Sequence, residues 1–372
     1  MNKVAMQSSL HGLLVACWLL CSLAACQNGD KAGAVGNNLP MAYAQLVQLS
    51  DSDGMTQATV SNPWTKGKTL QTIRVGEPGD DKTIRPLRRV VVFTTSHCQL
   101  LAYLGLTDRI VGVCDLKYIL VPDVRRKAKE GKIVDCGDAM SPNIEKIIEL
   151  CPDAIFISPF EGSGGFGKLE KLGIPIIQTA DYMETSALGR AEWMRYYGRL
   201  FGEGERADSL FHVVDSTYQR LKRYAATLPA GRSVLTERKT GAVWYTPGGT
   251  SSVGTIIKDA NGRYAFANDK HGGSLALSFE QIIDKAGESD VWAFKYNGTR
   301  MMTRSDLLRE FQGYKALRAF RTGDIYECNT SVTPYFEETP FRPDYLLREM
   351  IILLHPENNF GALRYYKRLD NR

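Results

Sequence analysis

Residues 205–228 read ERADSLFHVVDSTYQRLKRYAATL, and this stretch decides the fold. Its apolar side chains recur every three or four residues, which places them on one face of an α-helix. Pro229 and Gly231, two residues that end helices, follow it. About two dozen residues, each rising about 1.5 Å, make a rod about 35 Å long. The apolar face consists of Ala207, Leu210, Phe211, Val214, Tyr218, Leu221 and Ala225.

The same succession of elements flanks this rod on both sides. Before it, residues 141–149 read as a capped helix and residues 152–157 as an apolar strand. After it, residues 277–284 and 289–294 repeat the pattern. Each flanking helix carries an acidic residue in its first turn, which is typical of a helix start. This repetition predicts an α/β protein with two similar lobes joined by one rigid helix.

Apolar runs separated by helical stretches place the elements of the first lobe. Near-continuous apolar runs suit a parallel sheet that is covered on both faces. Residues 94–97 read as a loop, residues 98–104 as a short helix and residues 187–201 as a helix that leads into the rod. The predicted strands are residues 89–93, 110–113, 132–134, 154–157 and 174–178.

These patterns divide the chain into five predicted parts. Residues 26–85 form a tether and a small β extension, with strands at 56–60 and 69–75. We predict the remaining parts as a signal peptide (1–25), the amino-terminal lobe (86–186), the linking helices (187–230) and the carboxy-terminal lobe (231–372).

The first residues carry an export signal. Lys3 supplies a positive charge, residues 13–23 are an apolar run, and Leu23-Ala24-Ala25-Cys26 fits a cleavage site that ends in cysteine. This pattern resembles a bacterial lipoprotein signal and implies a lipid on Cys26. A plain secretory signal followed by a chance cysteine is the alternative. In either case the protein is exported, and with the lipid it is held at a membrane.

Charge and cysteine content limit the possible functions. The net charge of +5 is spread along the chain, so nucleic-acid binding is not expected. Five cysteines lie beyond Cys26, none in a Cys-x-x-Cys spacing, and they read as buried free thiols. The sequence does not choose a disulfide, and the pairing of Cys114 with Cys136 stays open. The other three are Cys98, Cys151 and Cys328.

A glycine-rich stretch at residues 162–167 matches the dinucleotide-binding fingerprint, and Asp181 lies where a ribose-binding acid is expected. Residues 158–161 separate the preceding strand from the first glycine, however, and the following helix is barely two turns long. The other interpretation is a loop at the carboxyl end of a strand, where ligands of open α/β sheets bind. An exported oxidoreductase is therefore kept as an alternative function.

Aromatic residues at predicted strand ends favour a binding cleft. Phe160, Trp244, Tyr245 and Tyr296 suit a large, flat, partly apolar ligand. Arg300 nearby can meet carboxylates or phosphate on such a ligand. His97 and His271 lie in predicted loops that can face the cleft, although a lone loop histidine is more often a surface residue than a metal ligand. We assign His97 to the cleft and predict no metal site or catalytic residue.

Two glutamates occupy matching positions in the two halves. Glu145 and Glu280 each lie in the first turn of a capped helix, where the helix dipole alone stabilises an acid by about 0.3–1 kcal/mol. That effect explains either residue by itself. Matching acids in both halves also suggest paired contacts to a two-fold symmetric partner.

The order of these patterns resembles the periplasmic substrate-binding proteins of ATP-driven importers for iron–siderophore, haem and cobalamin. That family has two Rossmann-like lobes joined by one long helix, with the ligand between them. The resemblance implies a monomeric receptor for a metal chelate, with no enzymatic activity or cofactor. The matching stretches are residues 89–106, 110–114, 142–157, 169–177, 202–210 and 278–283.

The resemblance also implies a partner. In the family a surface glutamate on each lobe docks onto arginines of the two subunits of an ABC permease. The family patterns Asn-x-Glu and Ser-x-Glu-Gln fall on Glu145 and Glu280, so these two residues take the docking role. The extension before Arg89 is longer than the family minimum, and its role stays open. A surface haem or corrinoid scavenger without a permease is a further alternative.

Overall fold

The computed structural model describes residues 37–77, 79, 82–162, 165–358 and 360–370. The predicted signal peptide and Cys26 lie outside the described residues. From Asn37 onward the chain forms one compact unit. Within the described ranges, no helix combines the length and apolar character needed to cross a membrane.

One long helix, Gly204–Thr227, connects the two halves of the molecule, and we call it the linking helix. Six residues of the predicted apolar face are buried, and Leu210 is half-buried, which confirms the periodicity. The last helical residue is Thr227. Leu228 follows it with an extended backbone, just before Pro229. Met194–Leu200 from one side and Pro343–Leu354 from the other pack against it.

A five-stranded, all-parallel sheet forms the amino-terminal lobe. Val90–Val92 is central, flanked by Ala154–Ile157 and then Ile176–Gln178 on one side, and by Ile110–Val113 and then Val134–Asp135 on the other. All five predicted strands are present, with ends shifted by up to two residues. The other elements are helices Thr95–Tyr103, Pro122–Lys129 and Ile144–Glu149, short 3-10 helices Thr107–Arg109, Leu116–Tyr118, Leu169–Leu172 and Asp181–Met183, and a hairpin of Gly137–Asp138 and Ser141–Pro142.

The carboxy-terminal lobe repeats this plan. Its sheet has four parallel strands, in the order Arg263–Tyr264, Ser233–Thr236, Val291–Tyr296 and Ile325–Asn329, and Lys367–Arg368 adds an antiparallel edge. A smaller antiparallel sheet consists of Lys239–Thr240, Val243–Pro247 and Ser274–Leu277. The helices are Ser252–Asp259, Phe279–Ala286, Arg304–Glu310, Arg318–Thr322, Tyr335–Glu338 and Pro343–Leu354, with a 3-10 helix at Gln312–Ala316.

The predicted β extension is a five-stranded sheet. Val47–Ser52, Met55–Ser61 and Thr69–Val75 form an antiparallel meander, with the short strands Asn37–Leu39 and Thr83–Ile84 at its edges. Met55–Ser61 and Thr69–Val75 were predicted from the sequence, whereas Val47–Ser52 and the two short edge strands were not. One face of the meander is buried and joins the same hydrophobic core as the lobes, through Val47, Leu49, Ala58, Val60, Ile73 and Val75.

The helix predicted at residues 187–201 is two helices, Ala187–Glu192 and Met194–Leu200. The break falls at Trp193, whose backbone N–H bonds to the carbonyl of Arg190, three residues back. This tighter turn accompanies a buried hydrogen bond of 2.9 Å from the Trp193 indole Nε1 to Glu184. A tertiary contact therefore accompanies the interruption of the local periodicity. We call Ala187–Glu192 the cleft helix.

Candidate ligand-binding site

A cleft lies between the lobes, at the carboxyl ends of parallel strands from both sheets. It consists of two cavities, of about 370 Å³ and 540 Å³, which share Arg190, Ser252, Val253 and Lys295. The amino-terminal lobe contributes the start of helix Thr95–Tyr103 and Tyr182, and the cleft helix lines the same side. The carboxy-terminal lobe contributes Glu237, Arg238, Tyr245, Tyr335 and Phe336. Ligands of open α/β folds bind at such an edge.

Arg190 projects into both cavities from the cleft helix. Its Nε donates a hydrogen bond of 3.0 Å to Asp181, while its side chain stays 28% exposed. Within the part of the chain that the structure describes, its two Nη groups have no protein acceptor. Arg190 therefore presents unused donors of a guanidinium group to the cleft, an arrangement suited to binding a carboxylate or phosphate.

The orientation of Arg190 is set by a buried carboxylate. Asp181 also accepts hydrogen bonds from His97 Nε2 at 2.9 Å and from the Tyr197 hydroxyl at 2.8 Å. Burial would raise the pKa of the Asp181 carboxyl, but His97 and Arg190 hold it below its ordinary value. Because Asp181 stays ionised, it keeps its hold on the guanidinium.

Two cations face the cleft from the carboxy-terminal lobe. Lys295 pairs with Glu237 and lies 5.1 Å from the centre of the Tyr335 ring. Arg238 pairs with Glu310 at 2.7 Å and lies 5.2 Å from the centre of the Tyr296 ring. Burial would lower the pKa of Lys295, but the adjacent Glu237 raises it, so the ammonium stays charged.

The lining of the cleft has an excess of positive charge. Arg190, Arg238 and Lys295 face the two cavities, whereas Glu237 is the one acid among the residues that line them. Asp181 and Glu310, which pair with two of the cations, do not line these cavities. A cleft that presents cationic groups directly to its ligand favours ligands with acidic groups.

An apolar cavity of about 430 Å³ adjoins the cleft on the amino-terminal lobe. Thr94 lines this cavity, and the next residue, Thr95, lines the cleft. A second link is a hydrogen bond of 2.5 Å from the hydroxyl of Tyr182, in the cleft, to the carbonyl of Pro159, which precedes Phe160 of the apolar cavity. The two spaces are thus neighbours. The apolar cavity is lined mainly by Phe93, Met140, Pro142, Ile157, Phe160, Phe166 and Leu169.

Of the predicted cleft residues, Tyr245 lines the cleft and Phe160 lines the adjoining apolar cavity, whereas Tyr296 and Arg300 line neither. Phe160 is 50% exposed in the apolar cavity, and Tyr245 is 49% exposed in the larger cleft cavity. Tyr296 is half-buried beneath Arg238. Arg300 forms a two-point ion pair with Asp306, at 2.7 and 3.0 Å, so its guanidinium is directed to that carboxylate.

Two predicted cleft residues are instead part of the interior. His97 lies in helix Thr95–Tyr103 rather than in a loop and is 3% exposed, because Tyr197 and Phe341 pack against its ring. Trp244 is fully buried, and its indole N–H donates to the backbone carbonyl of Thr236. The other loop histidine, His271, is exposed and bonds to Asp269.

The two predicted docking glutamates lie on the surface. Glu145 is exposed in the first turn of Ile144–Glu149, where Asn143 caps the helix by accepting from the Lys146 N–H. Glu280 is exposed in the first turn of Phe279–Ala286, which begins with a complete capping box of Ser278 and Gln281. Cys98, Cys114, Cys136 and Cys328 are buried free thiols, whereas Cys151 is an exposed one.

Sequence reasoning missed Arg190, Arg238 and Lys295. Lys295 carried a usable signal, since it is a single cation near the end of an otherwise apolar strand, Val291–Tyr296. Arg190 and Arg238 carried none, because arginines on short helices and in turns are common on protein surfaces.

The glycine-rich stretch does not form a dinucleotide site in the described residues. A pyrophosphate requires the amino terminus of an α-helix directly after the glycines. The element that follows Gly167 is the four-residue 3-10 helix Leu169–Leu172. Gly162 and Gly167 both have positive φ, which fits a loop beside the apolar cavity.

Two α/β lobes on a long connecting helix, with a cleft between them, have the architecture of the two-lobed solute-binding proteins. The chain belongs to the periplasmic binding protein family, which it matches over residues 90–332. This confirms the family predicted from the sequence.

Two relatives illustrate the family assignment. An uncharacterised lipoprotein of Methanocaldococcus jannaschii is 26% identical over 293 residues, which cover 76% of this chain and 68% of that protein. The petrobactin-binding protein YclQ of Bacillus subtilis is 30% identical over 144 residues, 38% of this chain and 43% of that protein.

Solved structures share the fold. The ABC-type Fe³⁺-hydroxamate transport system of Saccharomonospora viridis has a TM-score of 0.59 at 18% identity, covering 82% of this chain and 99% of that one. A periplasmic heme binding protein of Pseudomonas aeruginosa also has a TM-score of 0.59, at 15% identity, covering 77% of this chain and 99% of that one. At these identities the likeness establishes the fold alone.

Proposed function

We propose that this protein captures a metal chelate between its two lobes and delivers it to an ABC permease. The observation that carries the proposal is the cleft itself, in which cationic and aromatic side chains from both lobes line one space. Membership of a family of solute-binding proteins supports it. The protein then acts by binding and release, with no chemical step.

The lining favours a chelate that is both acidic and partly apolar. Arg190, Arg238 and Lys295 suit carboxylate, catecholate or phosphate groups, whereas the apolar cavity and the exposed ring of Phe160 suit a flat apolar body. A ferric siderophore with acidic groups and haem both have this character. A petrobactin-binding relative and a heme-binding structural neighbour are consistent with this character.

Several further assignments belong to the same proposal. Cleavage before Cys26 and lipid attachment there would anchor the protein at the outer face of a membrane, and relatives named as lipoproteins support this. Glu145 and Glu280 would dock on the two permease subunits. We propose a monomer divided as predicted, with lobes at residues 86–186 and 231–372.

Ligand titration tests the proposed function. Haem, an anionic ferric tris-catecholate, a neutral ferric tris-hydroxamate and cobalamin all absorb light that tryptophan emits, so bound ligand quenches the fluorescence of buried Trp193, Trp244 and Trp292. We expect saturable one-to-one quenching by haem or the tris-catecholate, with the neutral chelates binding at least about tenfold more weakly.

Two variants sharpen this titration. Arg190→Gln removes a cation of the cleft, whereas Lys315→Gln removes an exposed cation of the carboxy-terminal lobe that does not line the cleft. Only the first should weaken binding of the acidic chelate. Absence of saturable binding by any metal chelate contradicts the proposed function.

A further inference from the structure

Five consecutive backbone N–H groups of the amino-terminal extension bind two carboxylates of the main body. We call residues 42–46 the strap. The N–H groups of Ala42, Tyr43 and Ala44 donate to Glu192 at 2.7–2.9 Å. Those of Gln45 and Leu46 donate to Glu184 at 2.8–3.0 Å.

Both carboxylates are buried and depend on the strap. Glu184 is 5% exposed, and its one other hydrogen-bond donor among the described residues is the Trp193 indole. Glu192 is fully buried, with Arg195 as its other partner at 3.0 Å. A buried carboxylate that loses its donors is strongly destabilised, so the strap and these two residues hold each other in place.

The two carboxylates bracket the residue that faces the ligand. Glu184 comes just before the cleft helix Ala187–Glu192, and Glu192 is its last residue. Arg190 lies between them and projects into the cleft. Any shift of the cleft helix therefore moves the Arg190 guanidinium relative to Asp181 and to the cavities.

The extension is also fixed to the strand that leads to Asp181. The side-chain amide of Gln71 donates to the carbonyl of Ile176 at 2.5 Å and accepts from the N–H of Gln178 at 2.9 Å. Through these two hydrogen bonds, the Gln71 side chain binds the backbone of the edge strand Ile176–Gln178 in the way that a neighbouring strand would. On the other side, the Tyr43 hydroxyl donates to Asp215 of the linking helix at 2.8 Å.

We propose that the amino-terminal extension is a working part of the binding cleft: through Glu184 and Glu192, its strap fixes Arg190 in the orientation that receives an acidic group of the ligand. Glu184 and Glu192 are positioning residues, since they act through Arg190. The inference rests on the proposed function, because it requires a ligand in the cleft. It gives the extension a role in affinity rather than in solubility or tethering.

A double-mutant cycle tests the strap. Arg190→Gln, Glu192→Gln and the double variant are titrated with the acidic chelate that binds the wild type, either haem or the ferric tris-catecholate. We expect Arg190→Gln to weaken binding at least about tenfold and Glu192→Gln to weaken it several-fold. The double variant should bind no more weakly than Arg190→Gln alone, because the strap acts through Arg190.

Two controls separate positioning from a general loss of folding. Glu205→Gln makes the same chemical change as Glu192→Gln, at an exposed residue of the linking helix that has no hydrogen bond to the strap among the described residues and does not line the cleft, so it should bind like the wild type. Binding stoichiometry and the thermal midpoint are measured for each variant. If Glu192→Gln does not fold, Glu184→Gln takes its place in the cycle.

The outcomes are distinct. Weakening by Glu192→Gln that disappears in the Arg190→Gln background supports the inference. Weakening of equal size in both backgrounds, or no weakening at all, overturns the inference and leaves the proposed function standing. Failure of the wild type to bind any of the chelates overturns both.

Discussion

The cations of the cleft are each held by a carboxylate, and this arrangement matters for binding. Asp181 fixes Arg190, Glu237 fixes Lys295 and Glu310 fixes Arg238. Side chains that are already ordered lose little conformational entropy when a ligand binds. The partner carboxylates also reduce the net positive charge of the cleft, so a bound acidic ligand is still able to dissociate. Release of the ligand to a permease, as proposed above, would benefit from both effects.

Glu327 is a buried acid of the carboxy-terminal lobe, and its burial lowers the stability of the folded protein at neutral pH. It is 1% exposed, and its Oε2 accepts from the Met302 N–H at 2.7 Å. Its Oε1 has no partner within the described residues. Burial raises the pKa of Glu327 above the ordinary value of 4.5. The folded protein therefore holds this proton more tightly than the unfolded chain does.

Replacing this acid should stabilise the protein in a pH-dependent way. As pH rises from 4.5 through the raised pKa, the wild type loses stability that Glu327→Gln retains. The variant should be more stable at neutral pH, by on the order of 1 kcal/mol, and the gain should vanish below pH 4.5. Urea unfolding at acidic and neutral pH measures this difference.

An exposed glutamate provides the matched control. Glu288→Gln replaces a side chain that is 75% exposed, so its effect should vary little with pH. A Glu327→Gln variant that is less stable than the wild type at neutral pH contradicts the argument. So does a stability gain of the same size at both pH values.

Single residues were the hardest feature to predict from the sequence. His97 and Trp244 read as cleft residues because they lie near strand ends, but strand ends of a two-lobed protein face the interior as well as the cleft. Which of the two applies depends on packing partners such as Tyr197 and Phe341, which are far away in the chain. Phe160 and Tyr245 have no such partner and stay exposed.

At the scale of elements, local signals predicted most of the helices. The linking helix was placed within one residue at each end, because a long apolar periodicity and a following proline define it. Helix Ile144–Glu149 likewise lies within the capped helix predicted at residues 141–149 and ends at the same residue. The strand Val47–Ser52 was missed, since its second half, Ser50 to Ser52, is polar and resembles a turn.

The matching helix starts in the two lobes make the docking proposal testable. Glu145→Lys combined with Glu280→Lys should leave chelate affinity unchanged, since both residues are exposed and neither lines the cleft. Uptake of labelled chelate by cells should fall at least about tenfold, because like charges would then face the permease arginines.

The opposite ends of the same helices supply the control. Glu149→Lys combined with Glu288→Lys reverses two exposed charges, at the last residue of Ile144–Glu149 and two residues beyond Phe279–Ala286. These changes should leave uptake intact. If the Glu145 and Glu280 variant loses chelate binding instead, those residues belong to ligand recognition rather than to docking.

At the scale of the whole molecule, the connection between the lobes limits their motion. The linking helix is packed by Met194–Leu200 and Pro343–Leu354 along its length. The lobes also touch through Glu337, which accepts from the Thr95 hydroxyl at 2.8 Å, and through Phe341, which packs on His97. We therefore expect a small hinge motion on ligand binding rather than a wide closure.

The two-lobed architecture was predictable because the same sequence pattern occurs twice. A capped helix, a turn and an apolar strand lie on each side of one long helix. The attachment of the extension was not predictable, because its strap binds Glu184 and Glu192 through backbone N–H groups, which every sequence offers alike. Long-range contacts made by the backbone leave no pattern in the side chains.

Hydrogen–deuterium exchange with and without a bound ferric tris-catecholate or haem tests the central claim most directly. We expect slower exchange on both sides of the cleft at once, at residues 94–99 and 187–193 on one side and at residues 236–247, 291–296 and 335–340 on the other. Exchange along the linking helix should stay unchanged. Slower exchange that is confined to one lobe, or that lies away from the cleft, would contradict a ligand site between the lobes.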